Sequence, residues 1–228
     1  MEPIAHLRLV EKSEPPEYDE QTLKAHNENS GKYAAEALRC IGLDKIGSFC
    51  GNIHDLGKAT KKFFDYIQPG NTLRRGEVNH TFAAVRYIFE MSDGVDNEVR
   101  ELLAYAVGAH HGQFDAVNDD HKNGFEHRLT KDGIDYDEAK KNFNKYCFSD
   151  AELKSQFNSA AEQLTEIIEG IRERNPKRSA RQAEEYEFQI SLLARLLLSA
   201  VIEGDRRDTA EFMENMEFPQ VEADWDEC

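Results

Sequence analysis

Nothing in the chain is apolar for long enough to span a bilayer: the longest such stretch, residues 192–202, is too short and carries Arg195. The N-terminus, Met1-Glu2-Pro3-Ile4, has neither a basic start nor an apolar run, so no export signal is read there and a soluble, cytoplasmic chain with no membrane partner is expected. Cysteine is scarce and scattered. Cys40, Cys50, Cys147 and Cys228 form no C-x-x-C pair, which argues against a zinc knuckle or a disulfide framework and fits reduced thiols. No G-x-x-x-x-G-K-[ST] loop occurs, so the chain has no recognisable ATP site of its own. Positive charge is also in deficit, with 28 Lys and Arg against 44 Asp and Glu and a net charge of −16, which argues against a protein that coats nucleic acid by charge alone. The acid is uneven: residues 203–228 hold ten carboxylates against only Arg206 and Arg207.

What is present is helical. Apolar residues recur at helical spacing through roughly 21–41, 44–57, 78–91, 96–110, 137–147, 151–172 and 180–203, with no sustained period-two alternation, and this predicts an all-α fold. Gly42, Pro69-Gly70-Asn71, Asp93-Gly94 and Asn175-Pro176 supply the stops. Residues 11–20, with Pro15-Pro16, are expected to form a loop. At 228 residues one domain is expected, divided into an N-terminal segment 1–20, a helical domain 21–212 and an acidic tail or linker 213–228. Residues 112–135, rich in Gly, Asn, Asp and His beside a histidine pair, are expected to be a substrate-facing loop.

Five histidines and two aspartates fall on or at the ends of these segments: His26, His54-Asp55, His80, His110-His111 and Asp205. Neutral imidazoles bind borderline metals without adding charge, and a carboxylate can bridge two ions held roughly 3.5–4 Å apart, so this mixture suits a binuclear site. After His54-Asp55 come Leu56, Gly57 as the expected helix stop, and Lys58, the first cation near the metals and a candidate phosphate contact. Ala109-His110-His111-Gly112 ends a second apolar helix, and two imidazoles at one helix end are costly to bury without a purpose. A lone His26 or His80 would decide nothing, since single helical histidines are usually satisfied core or surface residues. His6, His121 and His127 lie in polar surroundings and are expected to be solvated.

Taken in order, Gln21-Thr22-Leu23-Lys24-Ala25-His26, Asn52-Ile53-His54-Asp55-Leu56-Gly57-Lys58, Val78-Asn79-His80-Thr81, Gly108-Ala109-His110-His111-Gly112 and Gly204-Asp205-Arg206-Arg207-Asp208-Thr209 resemble the HD nuclease domain of the type I CRISPR-associated helicase-nuclease. The resemblance spans about residues 5–212. It implies an HD-domain helical bundle with a metal site at its centre, which nicks and degrades single-stranded DNA with two transition-metal ions. His26, His54, Asp55 and Asp205 would hold one ion, and Asp55, His80, His110 and His111 the other. Asp55 and Lys58 would act directly on the substrate. The family's last motif usually begins with aspartate, where this chain has Glu203. Lacking an ATP loop, the chain would work with a helicase domain or subunit, separate or fused, and with a CRISPR target-recognition complex.

Histidine and carboxylate donors favour Mn²⁺, Fe²⁺, Co²⁺ or Ni²⁺ over Mg²⁺, which prefers all-oxygen sites. Two basic clusters offer a strand path: Lys58, Lys61, Lys62, Arg74 and Arg75, and Arg172, Arg174, Lys177, Arg178 and Arg181. Each also fits a solvated helix end. Phe63, Phe64, Tyr66 and Phe114 are candidates for stacking on bases, although Phe63-Phe64 equally fits the core. Two other readings use the same residues: an HD phosphohydrolase acting on nucleotides or cyclic nucleotides, and an HD domain that has lost activity and serves as a binding or regulatory module.

Overall fold

The computed structural model describes residues 2–11, 13–74, 78, 80–112, 128–129 and 135–218. Most of the 112–135 segment, with Phe114, His121 and His127, lies outside them, as do Arg75, Asn79 and residues 219–228. Among the described residues the fold is helical, with one small antiparallel hairpin, β1 (Ile4–Leu9) and β2 (Tyr18–Thr22). The helices are α1 (Leu23–Arg39), α2 (Asp44–Ile53), α3 (Lys61–Ile67), α4 (Thr81–Met91), α5 (Asn97–Gly108), α6 (Tyr136–Tyr146), α7 (Asp150–Arg174) and α8 (Ala180–Glu214), with a 3₁₀ turn at Leu56–Lys58.

Local chemistry starts these helices. Thr22, Thr60, Ser149 and Ser179 each accept a backbone N–H from the first turn of the helix that follows, and Ser149 with Glu152 completes a reciprocal capping box. Burial then orders them. Ile46, Phe49 and Ile53 on α2 meet Leu153, Phe157 and Leu164 on α7, with the Phe49 and Phe157 rings 5.6 Å apart edge to face. The same helix α2 lies against α1, which in turn packs on α8, so α1 is held between them. A Cβ on Gly204 would stand 2.3 Å from the Ser30 carbonyl oxygen, so only glycine lets α8 approach α1 this closely. That crossing sets Asp205 beside His26.

Three expectations need correction. Residues 11–20 are not wholly a loop, because Tyr18–Thr22 pairs with Ile4–Leu9; a strand pair this short has too few residues for alternation to stand out. Residues 61–67 form a helix whose seven residues are too few for a periodic signal. The last helix does not stop near residue 203 but runs to Glu214, where Asn215 caps it in a left-handed conformation with φ 52°. Part of the acidic run that begins at residue 203 is therefore helical, and some of it faces inward. No helix among the described residues is long and apolar enough to cross a membrane.

Candidate metal centre

Five segments converge on Asp55. His26 comes from the first turns of α1, His54 and Asp55 from the turn that ends α2, His80 from the residue before α4, His110 and His111 from the turn after α5, and Asp205 from α8. His26, His54 and Asp55 are fully buried, and His110 nearly so, whereas His80 is partly open and His111 is exposed. Gly57 does not stop the helix as expected; it lies within the 3₁₀ turn, where a Cβ would stand 2.0 Å from the His80 carbonyl oxygen. Its lack of a side chain brings the His80 backbone against the His54-Asp55 turn.

The donor atoms fall into two groups that share Asp55. Asp55 Oδ2 lies 3.2 Å from His26 Nε2 and 3.3 Å from His54 Nε2, and Asp205 Oδ1 lies 3.5 and 3.7 Å from the same two nitrogens. Asp55 Oδ1 faces the other way, 3.6 Å from His110 Nε2 and 3.9 Å from His80 Nε2, and His80 Nε2 is 2.9 Å from His111 Nε2. Lys58 Nζ reaches Asp55 Oδ2 at 2.5 Å and is buried.

The far nitrogens of three rings are occupied. Nδ1 of His54 meets the Gly51 carbonyl at 2.7 Å, Nδ1 of His110 meets the Val107 carbonyl at 2.5 Å, and Nδ1 of His26 meets Asp208 Oδ2 at 2.6 Å. Since a carbonyl or carboxylate only accepts, each ring carries a proton on Nδ1 and turns Nε2 toward Asp55. This is the outer support that metal-binding histidines use.

Charge follows from the same geometry. Burial alone would lower the pKa of His26, but the hydrogen bonds that its ring donates to Asp205, Asp208 and Asp55 outweigh it and the net direction is upward. For His54 burial is likewise overcome, by Asp55 and Asp205, and the pKa rises to about 10. Burial would raise Asp55 and Asp205, yet Lys58 and His54 around the first, and His26 and His54 around the second, hold both well below the usual carboxylate range. His80 and His111 go the other way: desolvation lowers both, His111 to about 3 with help from the neighbouring His110.

Divalent ions suit these donors. His54 Nε2, His110 Nε2 and Asp55 Oδ1 are buried with no hydrogen-bond partner. Orphaned buried polar atoms are rare and costly in folded proteins, and here they converge. His26, His54, Asp55 and Asp205 can together hold a metal ion, as can Asp55, His110 and His111.

Residues 20–202 match the family model described as Cas3, HD domain. The chain belongs to that family. It is therefore a metal-dependent HD nuclease of CRISPR systems, with nucleic acid as its substrate. No curated protein matches it. The matched span takes in His26, His54, Asp55, Lys58, His80, His110 and His111, while Asp205 lies three residues beyond its end and is joined to them only by the fold.

Sequence reasoning missed four residues here. His6, expected to be solvated, is half-buried with its ring 4.7 Å edge-on from His26, and burial first, then Lys58 and His26, lower its pKa to about 4. Gln21, Asn29 and Asp208 close a hydrogen-bonded group around His26 Nδ1. Asp208 had a signal, since three residues after Asp205 is the same helix face; His6 had none, being placed by strand pairing alone. In the second basic cluster three members have partners at the surface: Arg172 pairs with Asp96 and Glu98, Arg181 with Glu185, and Lys177 lies over the Tyr186 ring. Phe63 is core.

Proposed function

We propose that this chain is a two-ion nuclease that cuts single-stranded DNA. His26, His54, Asp55 and Asp205 would hold one ion and Asp55, His80, His110 and His111 the other, with Asp55 shared. The observation that carries this reading is the two-sided use of Asp55, whose Oδ2 faces His26 and His54 and whose Oδ1 faces His80 and His110. Histidines match carboxylates two to two in the first group and outnumber them three to one in the second, a nitrogen share that favours Mn²⁺, Fe²⁺, Co²⁺ or Ni²⁺ over Mg²⁺. Bound ions would supply positive charge for the scissile phosphate and lower the pKa of a water that attacks it.

The chain's own residues do the rest. Asp55 orients both groups. Asp205 closes the buried side, and His80 and His111 leave the other side open toward solvent, where a strand can enter. In the metal-free protein Lys58 neutralises Asp55; with cations present its ammonium is free to hold a non-bridging phosphate oxygen. A protein with a net charge of −16 gains little from non-specific DNA attraction. The strand would therefore be delivered by a helicase domain or subunit and a CRISPR target-recognition complex, in the cytoplasm.

The test uses metal-stripped protein reloaded with Mn²⁺ or Ni²⁺, offered circular single-stranded DNA, duplex DNA or a panel of nucleotides and cyclic nucleotides. Nicking and then degradation of the circular single strand is expected. Untouched DNA alongside nucleotide hydrolysis would overturn the proposal in favour of a nucleotide phosphohydrolase. A chain that takes up no ion on reloading and acts on none of them would match a binding module.

A further inference from the structure

His26 differs from its neighbours in what holds it. The Nδ1–H groups of His54 and His110 donate to backbone carbonyls one helical turn back, supports that come with the helix itself. His26 Nδ1–H donates to a side chain 182 positions away, Asp208 Oδ2, at 2.6 Å. Asp208 is 2 % exposed and takes three hydrogen bonds: from His26 and from Gln21 Nε2 (2.8 Å) on Oδ2, and from Asn29 Nδ2 (2.7 Å) on Oδ1. The Gln21 oxygen is engaged in turn by His6 Nδ1 at 2.8 Å, across the register pair His6↔Gln21 of the hairpin. The network therefore runs from β1 through β2 and α8 to α1.

We propose that Asp208 is a positioning residue for the metal centre. It fixes the His26 tautomer and ring so that Nε2 faces Asp55 and Asp205, while Gln21, Asn29 and, through Gln21, His6 hold Asp208 in place. The chemistry requires a carboxylate: three donors converge on one group, and only an acceptor with no N–H of its own satisfies all three. An amide at 208 would set an N–H against the N–H of Asn29 or against those of His26 and Gln21. Because outer hydrogen-bond partners of ligating histidines set both ring orientation and basicity, the effect should appear as metal affinity rather than as loss of the fold. The hairpin is then part of the centre's support.

This inference rests on the metal-centre reading above, and calorimetric titration of the stripped full chain with Mn²⁺ tests the two separately. For Asp208→Asn the tightest Mn²⁺ site is expected to weaken by about 10–100-fold, the usual effect of losing such a partner. The double variant Asp208→Asn/Asn29→Asp restores the donor count, since the new amide N–H would meet a carboxylate at 29 and its oxygen would accept from His26 and Gln21. Its affinity should return to within roughly threefold of wild type, with the His26 Nδ1–H signal recovered in ¹⁵N NMR. A purely structural role would lower stability in Asp208→Asn without moving the Mn²⁺ affinity or the His26 Nδ1–H signal. Wild-type affinity in Asp208→Asn, or a double variant no better than the single one, overturns the inference and leaves the metal centre standing. A wild-type chain that binds no Mn²⁺ overturns the metal centre itself and the inference with it. If Asp208→Asn does not fold, the double variant decides alone.

Discussion

On the His26 side of Asp55 the donors are carried within α1 and α8 and at the end of α2, packed in by a helix crossing that only small residues permit. On the His80 side they sit at helix ends, and His111 is open to solvent. The electrostatics differ in step. In the metal-free protein His26 and His54 are raised by facing carboxylates and hold protons where a cation belongs, whereas His80 and His111 are lowered and stay neutral. The inner side is thus preformed and charge-balanced before any metal arrives, and the outer side is a looser set of free bases facing the entry. An inner ion should bind tightly in exchange for protons, and an outer ion more weakly and nearer the substrate.

The largest effect falls on the residue common to both sides. Asp55→Asn keeps the shape but removes the shared charge, and DNA cutting should drop on the order of 10³-fold, ~4 kcal/mol of transition-state stabilisation. Cutting near wild-type rate by the metal-loaded variant would refute the shared role. Next come the two sides taken one at a time. His54→Ala should cost more metal affinity than the ~10–100-fold typical of an outer partner, whereas His111→Ala should keep the tight ion and lose the weak one, as elemental analysis after gel filtration would reveal. Equal losses from the two variants would erase the distinction between the sides.

The pH dependence is smaller and its sign is fixed. His54 rises from an ordinary 6.5 to about 10, so its contribution to the stripped protein's stability is complete below pH 6.5 and is lost as pH climbs through about 10. The melting temperature of stripped protein should fall over that window, and saturating Mn²⁺, which takes the proton's place, should flatten the fall. A stripped protein with constant melting temperature would break the comparison. The smallest effect on the metals is expected from Gly57→Ala, whose new methyl meets the His80 carbonyl: a loss of about 3 kcal/mol or more in stability, with the weak ion disturbed and the tight one kept.

The sequence made the chemistry legible more readily than its support. His54-Asp55, His80 and His110-His111 stand at helix boundaries marked by apolar periodicity, and the fold brings them together with His26 and Asp205 as their types suggested. The supports depend on tertiary contact. His6 reads as solvated although Ile4, Ala5 and Leu7 beside it are apolar, because nothing in so short a stretch marks a strand, and only its pairing with β2 carries the ring to His26. Gly57 reads as a helix stop because glycine often is one; that it clears space for a backbone 23 positions later follows only from the packing of the 3₁₀ turn on His80. Of the acid that follows residue 202 only Asp205 is read as a ligand, because charge runs usually are solvated, yet Asp208 also faces inward and Glu211 binds Tyr33 and Arg207.

The most direct test of the account is the anomalous diffraction of crystals equilibrated with Mn²⁺. Two peaks are predicted, roughly 3.5–4 Å apart and bridged by the Asp55 carboxylate, with the stronger on the His26, His54 and Asp205 side. A single peak, or two peaks that do not share Asp55, would contradict it.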